Sequence, residues 1–179
     1  MDVVIEALDP HRQAKFWAAL LGWACADDRV RAEGGWDFEL VFAQVDVPKT
    51  VKNRIHLELA SRSPEHQREI VRHALALGAR HLDLGQGDVP WVVLADREGN
   101  EFCVLDPHPR YDAGPVAAIL VETADPAAVA DDWALATGWP VEVRRDEVVA
   151  LRSPRGQWLE LLRVEPTEPV GERVRLGAL

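Results

Sequence analysis

Trp91–Asp106, WVVLADREGNEFCVLD, is the stretch on which the fold turns. Its apolar run Trp91–Ala95 stops at Asp96-Arg97-Glu98-Gly99-Asn100 and resumes at Phe102–Leu105, a pattern that predicts two antiparallel strands around a short loop. Side chains alternate along a strand, so Glu101 and Cys103 share one face while Phe102 and Val104 share the other. A carboxylate and a thiol thus stand opposite an aromatic anchor, on a face that looks into a cleft or into solvent.

Working back from the hairpin, Ile55–Ala60 reads as a strand, Ser63-Pro64 opens a helix that Gly78 closes, and Arg80–Leu84 is a further short strand. The same order occurs before and after. Val3–Leu8 is a strand, and Asp9-Pro10 caps a helix that ends at Gly22. Trp23–Val30 and Trp36–Val45 follow as strands around Glu33-Gly34-Gly35. Val116–Glu122, the helix from Asp125-Pro126 to Gly138, and the strands Val141–Arg145, Val148–Arg152 and Trp158–Val164 repeat it a third time. The first and third frames each run thirteen positions from capping aspartate to glycine, 9 to 22 and 125 to 138, with a tryptophan after each glycine. Gly99-Asn100-Glu101-Phe102 has its counterpart in Gly156-Gln157-Trp158-Leu159. Such periodicity marks a modular architecture.

The fold expected is α+β, three βαβββ modules. Residues 1–46 and 55–106 would pair into one domain, a half-barrel with a concave groove. Residues 107–115 would be a linker, 116–164 the third module, and 165–179 an irregular tail. The third module is then left with an open sheet edge, which it covers by packing on the first pair or by pairing with its copy in a homodimer.

Composition narrows the partners. A formal charge of −10 and the lack of a basic stripe argue against nucleic acid. No apolar run is long enough to span a bilayer, and the N-terminus lacks the layout of a secretory signal, so no membrane partner and a cytoplasmic location are expected. The two cysteines, Cys25 and Cys103, fit neither a disulfide framework nor a structural zinc site. No phosphate-binding or dinucleotide fingerprint occurs, so no nucleotide cofactor is expected.

The segments DPHRQAKFWAALLGW (Asp9–Trp23), VPKTVKNRIHLEL (Val47–Leu59) and DVPWVVLADREGNEFCVL (Asp88–Leu105) resemble the vicinal oxygen chelate superfamily. That superfamily includes glyoxalase I, bleomycin-resistance proteins and extradiol dioxygenases, and more narrowly the chain resembles the glyoxalase-like domains common in actinobacteria. The resemblance implies a small-molecule ligand in the groove and, in metal-using members, a divalent ion held by the first and last strands of paired modules. His56 matches the first-strand histidine. The last-strand glutamate falls at Cys103 in the second module and at Glu160 in the third.

His56 and Glu58 share a strand face, beside Glu101 and Cys103 on the closing strand. Three readings stay open. His56 with Glu101, and Glu160 from the third module, could hold a metal ion. His56 and Glu101 could instead move a proton as catalytic groups. The cluster could equally be a hydrogen-bonded polar floor. Trp36, Phe38, Gln44, Glu58, Trp91 and Cys103 are the expected ligand contacts. His11, His66, His73, His81 and His108 read as surface groups. The functions in view are therefore a glyoxalase-like enzyme of lyase or isomerase type and a non-catalytic binding protein of the bleomycin-resistance type.

Overall fold

The computed structural model describes residues 1–33, 37–165 and 170–177. The first module is β1 (Asp2–Ala7), α1 (Pro10–Leu21), β2 (Ala24–Ala26), β3 (Arg29–Arg31) and β4 (Glu39–Gln44). The second is β5 (Ile55–Leu59), α2 (Pro64–Ala76), β6 (Arg80–His81), β7 (Val92–Ala95) and β8 (Glu101–Val104). The third is β9 (Val116–Thr123), α3 (Pro126–Thr137), β10 (Val141–Arg144), β11 (Val148–Arg152) and β12 (Trp158–Arg163), and a last strand, β13 (Val174–Gly177), follows.

The repeat is visible atom by atom. Asp9 and Asp125 adopt the same backbone angles, φ −130° and ψ 84°, and each carboxylate accepts the backbone N–H three residues on, from Arg12 and Ala128. Gly22 and Gly138 close the two helices at φ 68° and 72°, a left-handed position that suits glycine. The two glycine turns also coincide. Asp96 N–H donates to Asn100 O at 2.9 Å as Ser153 N–H does to Gln157 O. Within the first module a hairpin splits the expected strand Trp23–Val30, because Asp27 takes a positive φ of 53° and turns the chain there.

The pairing of the modules differs from expectation. The larger sheet runs β10-β11-β12-β9-β5-β8-β7-β6, so the second and third modules join through antiparallel β5 and β9. Both are first strands with an apolar face, Ile55, Leu57 and Leu59 opposite Val121, Ile119 and Val116. Of the two ways expected to cover the third module's edge, packing within the chain is the one seen, and it is the second module alone that does it. The first module forms its own sheet, β13-β1-β4-β3-β2. Here β13 lies antiparallel to β1 and occupies the side where a partner module would sit. The tail 165–179 is thus not wholly irregular. Val174 is buried, Arg175 Nη1 reaches Glu6 Oε1 at 2.8 Å, and Gly171 N–H donates to Lys52 O. In the sequence this strand is hidden by its charged flanks.

Helix α1 packs on its own sheet and, from its other side, on β8. The Trp17 ring centroid stands 5.1 Å from that of Phe102. One polar cluster ties this junction together. Asp96, 0 % exposed, accepts from Trp17 Nε1 at 3.2 Å, from Gln13 Nε2, and from the backbone N–H groups of Glu98 and Asn100 at 2.9 Å. Asn100 Oδ1 in turn accepts from Asn53 Nδ2 at 2.9 Å, two residues before β5. Replacing Asp96 by Ala strands these buried donors, and urea unfolding is expected to show a loss of about 3 kcal/mol or more. Glu98→Ala is the control from the same turn: it removes only a solvent-exposed bond from Asp9 N–H and is expected to cost well under half as much.

Candidate functional site

Strand register decides what meets on the face of the larger sheet opposite its apolar, helix-packed side. Glu58 pairs with Cys103 of β8 on one side and with Ala118 of β9 on the other, and Ala118 pairs with Trp158 of β12. One step along, His56 pairs with Leu120, which pairs with Glu160. Cross-strand partners share a face, so two rows lie side by side across four strands: Cys103, Glu58, Ala118, Trp158, and then His56, Leu120, Glu160. The small side chain of Ala118 leaves room between Glu58 and Trp158. One ligand atom each from His56, Glu58 and Cys103 lies within 4.8 Å of the others.

Burial sets the charge state of this cluster. Desolvation, aided by the nearby Lys52, lowers the His56 pKa to about 4, leaving a neutral ring whose Nδ1 is shut from solvent and has no hydrogen-bond partner among the described residues. Desolvation, with Glu160 close by, raises Glu58 to about 8 against the pull of Arg110. Cys103 is pushed up to about 12, chiefly by burial. Glu160 is also raised by burial, with Arg110 and the Tyr111 hydroxyl opposing. At neutral pH the cluster is a neutral imidazole, a carboxylic acid and a thiol, the last two able to give up a proton when a cation arrives.

The segment expected to be a plain linker lies across this face. Tyr111 Oη donates to Glu160 Oε1 at 3.2 Å, and Arg110 Nη2 stands 3.0 Å from the same oxygen as an ion pair. The Arg110 guanidinium stacks 3.8 Å above the Trp158 ring, while Trp158 Nε1 donates to Arg110 O at 3.2 Å. Arg152 approaches that ring at 5.1 Å. Arg110 Nε and Nη2 and Arg152 Nε are buried without a well-aligned hydrogen-bond acceptor. Sequence reasoning missed Arg110 and Tyr111. The available signal was the chain's single tyrosine, beside an arginine in a proline-bounded segment.

The other expected residues sit elsewhere or play other parts. Glu101 lies on the strand of Cys103, but Lys49 Nζ pairs with it at 2.5 Å and Asn53 N–H donates to it at 3.1 Å, so it anchors the connector before β5. Phe38 is 3 % exposed and packs in the core beside Trp23, their ring centroids 5.8 Å apart. Gln44 donates to the backbone oxygens of Leu8 and Val45 and ties a loop. Trp91 is 38 % exposed, just before β7. Trp36 lies outside the described residues.

The glyoxalase-like domain family matches residues 2–105, which is more than half of the chain. The chain belongs to that family. Among solved structures, glyoxalase I from Zea mays is similar to it at 13% identity and TM-score 0.61, over 89% of this chain and 65% of that one. A candidate dioxygenase from Bacillus subtilis is similar at 12% identity and TM-score 0.58, over 99% and 66%. This glyoxalase-like chain therefore spans about two thirds of the length of those structures, and at such identities the likeness concerns the fold. A glyoxalase/bleomycin resistance protein from Albidiferax ferrireducens T118 matches at 23% identity over 60% of this chain and 97% of that one, with a TM-score of 0.45. No curated protein matches the sequence.

The charge states carry a pH signature. Glu58's folded pKa of about 8 lies above its ordinary 4.5, so the folded protein holds a proton that the unfolded chain has released. That contribution is full below the ordinary value and is lost as pH rises through 8. Glu160 and Asp96 act with the same sign, Asp96 between 3.8 and about 6, whereas His56 opposes them between about 4 and 6.5. In metal-free protein, stability is expected to fall by about 2 kcal/mol between pH 6.5 and 8. Glu58→Gln is expected to remove most of that slope in urea titrations across the range.

Proposed function

We propose that this glyoxalase-like protein is an enzyme that binds a small, oxygen-bearing metabolite in the groove between its second and third modules, beside one divalent metal ion. The carrying observation is the convergence of His56, Glu58 and Cys103 donor atoms within 4.8 Å, with His56 Nδ1 buried and without a hydrogen-bond partner among the described residues. An imidazole, a carboxylate and a thiolate suit a borderline ion such as zinc, and Glu160 faces them from β12. Cys103 would take the place that the family resemblance gives to a glutamate, and Glu160 would keep its own. Glu101, paired to Lys49, is not part of this set.

Bound there, the ion would act as a Lewis acid on a substrate oxygen. The rest of the reaction falls to the chain. Burial raises Glu160 above the usual carboxylate range, which makes its carboxylate a stronger base, and it sits against the Tyr111 hydroxyl, so it can take a proton from a substrate carbon and return it nearby, as isomerase or lyase chemistry requires. Arg110 and Arg152 stack against Trp158, each with an Nε that lacks an acceptor among the described residues, and an anionic or strongly polar part of the substrate would be held at that end of the groove. Tyr111, on the crossing segment, would exclude water from the reacting atoms.

A second reading has its own support. The guanidinium 3.8 Å above Trp158 occupies the position of a stacked planar ligand, so the groove could sequester an aromatic molecule without chemistry. A cytoplasmic location belongs to this proposal too, and the free thiols of Cys25 and Cys103 accord with it. No helix among the described residues is long and apolar enough to cross a membrane. Self-association as a homodimer is proposed through the outer strand β10 and helix α3, whose Leu135 is 88 % exposed.

Elemental analysis of the purified protein is expected to find close to one divalent ion per chain, and His56→Ala to lower metal affinity at least tenfold. A protein that takes up no stoichiometric metal, yet quenches its tryptophan fluorescence saturably with a planar ligand, would favour sequestration. Light scattering at micromolar concentration is expected to give twice the chain mass, and Leu135→Glu to halve it.

A further inference from the structure

A cavity of about 560 Å³ lies between the C-terminal end of α1, one face of α2 and the segment leading into β9. That volume is ample for a small organic ligand. Its walls are largely apolar, with Leu20, Leu59, Ile70 and Pro115 prominent among them. Its basic and imidazole groups stand on the α2 side. Arg62 lines the cavity, and among the described residues its guanidinium has neither an ion pair nor a hydrogen bond. His66 Nδ1 accepts from Arg62 N–H at 3.1 Å, which puts the ring proton on Nε2, a nitrogen without a partner among the described residues. His73 lines it further along, with Nε2 directed at Ala19 O at 3.2 Å. The opposing charge at the rim, Asp112, faces Arg152 at 4.0 Å.

We propose that this cavity is a second binding site, specific for a small amphipathic monocarboxylate. Its hydrocarbon body lies against Leu20, Leu59 and Ile70, and its carboxylate is taken by the Arg62 guanidinium and the His66 Nε2–H. An arginine fork matches a carboxylate in shape as well as charge, and the apolar walls give no hydrogen bond to a second polar end. The cavity shares Tyr111 with the groove but none of His56, Glu58, Cys103 or Glu160, so it stands independently of the reaction proposed there.

Isothermal titration calorimetry of the full chain with octanoate, octan-1-ol and octylammonium tests it. Octanoate is expected to bind saturably at one site, at least fivefold more tightly than either of the other two. Arg62→Ala, at an exposed position, is expected to weaken octanoate at least fivefold while leaving octanol unchanged. Ile70→Trp, which fills the cavity, is expected to abolish binding of both, and His56→Ala to alter neither. Equal affinity for the three probes, no saturable octanoate binding, or an unchanged affinity in Arg62→Ala would overturn the proposal. Loss of octanoate binding in His56→Ala would move the ligand to the groove and overturn it as well.

Discussion

The Asp96 carboxylate is the constraint on which the rest of the structure depends. It is buried, and burial raises its pKa to about 6 against the pull of the hydrogen bonds it receives. Those bonds come from two modules at once: Gln13 and Trp17 of α1, and the backbone of the turn between β7 and β8. A buried acceptor with this many donors admits few alternative arrangements, since each shift would orphan a polar group. The first module is thereby fixed against the second. Through Asn100 the same cluster reaches Asn53, and Asn53 with Lys49 meets Glu101, so the start of β5 is set as well. The groove carries His56 and Glu58 on that strand, and their placement follows from the turn.

The groove itself is built by strand pairing rather than by any one motif. β5 lies in the middle of the larger sheet, flanked by β8 of its own module and β9 of the next. Cys103 and Glu58 come together because of the parallel register on one side, and Trp158 and Glu160 join them by way of β9 on the other. A one-residue slip in either register would turn the slipped strand's side chains to the helix-covered face and break up the set. The dense apolar packing of that face, with Leu57, Phe102, Ile119 and Leu159 all buried, is what holds the register in place.

Much of this was legible in the sequence. The caps at Asp9 and Asp125, the closing glycines and the hairpin at Gly99 are local signals, each with a local physical cause, and each stands where expected. Alternation alone puts His56 and Glu58 on one face of their strand and Cys103 on the matching face of its own. What could not be read was which edges meet. The first strands of all three modules are apolar and similar in length, so periodicity does not distinguish a β5–β9 junction from a β1–β5 one. The short strand Val174–Gly177 settles the matter by covering β1, and a four-residue strand in a charged tail has almost no signature. Arg110 and Tyr111 were hidden for a related reason: proline-rich composition announces an irregular path, but not the surface that the path crosses.

If the paired second and third modules gather a neutral imidazole, a carboxylic acid and a thiol into one cation-binding site, cobalt(II) titration followed by electronic absorption tests it most directly. A thiolate bound to cobalt gives an intense charge-transfer band in the near ultraviolet. One equivalent of cobalt is expected to bind with a saturating band of that kind, and Cys103→Ser to lose the band while keeping the fold. Cobalt that binds without the band, or a band that survives the Cys103 substitution, would contradict such a site.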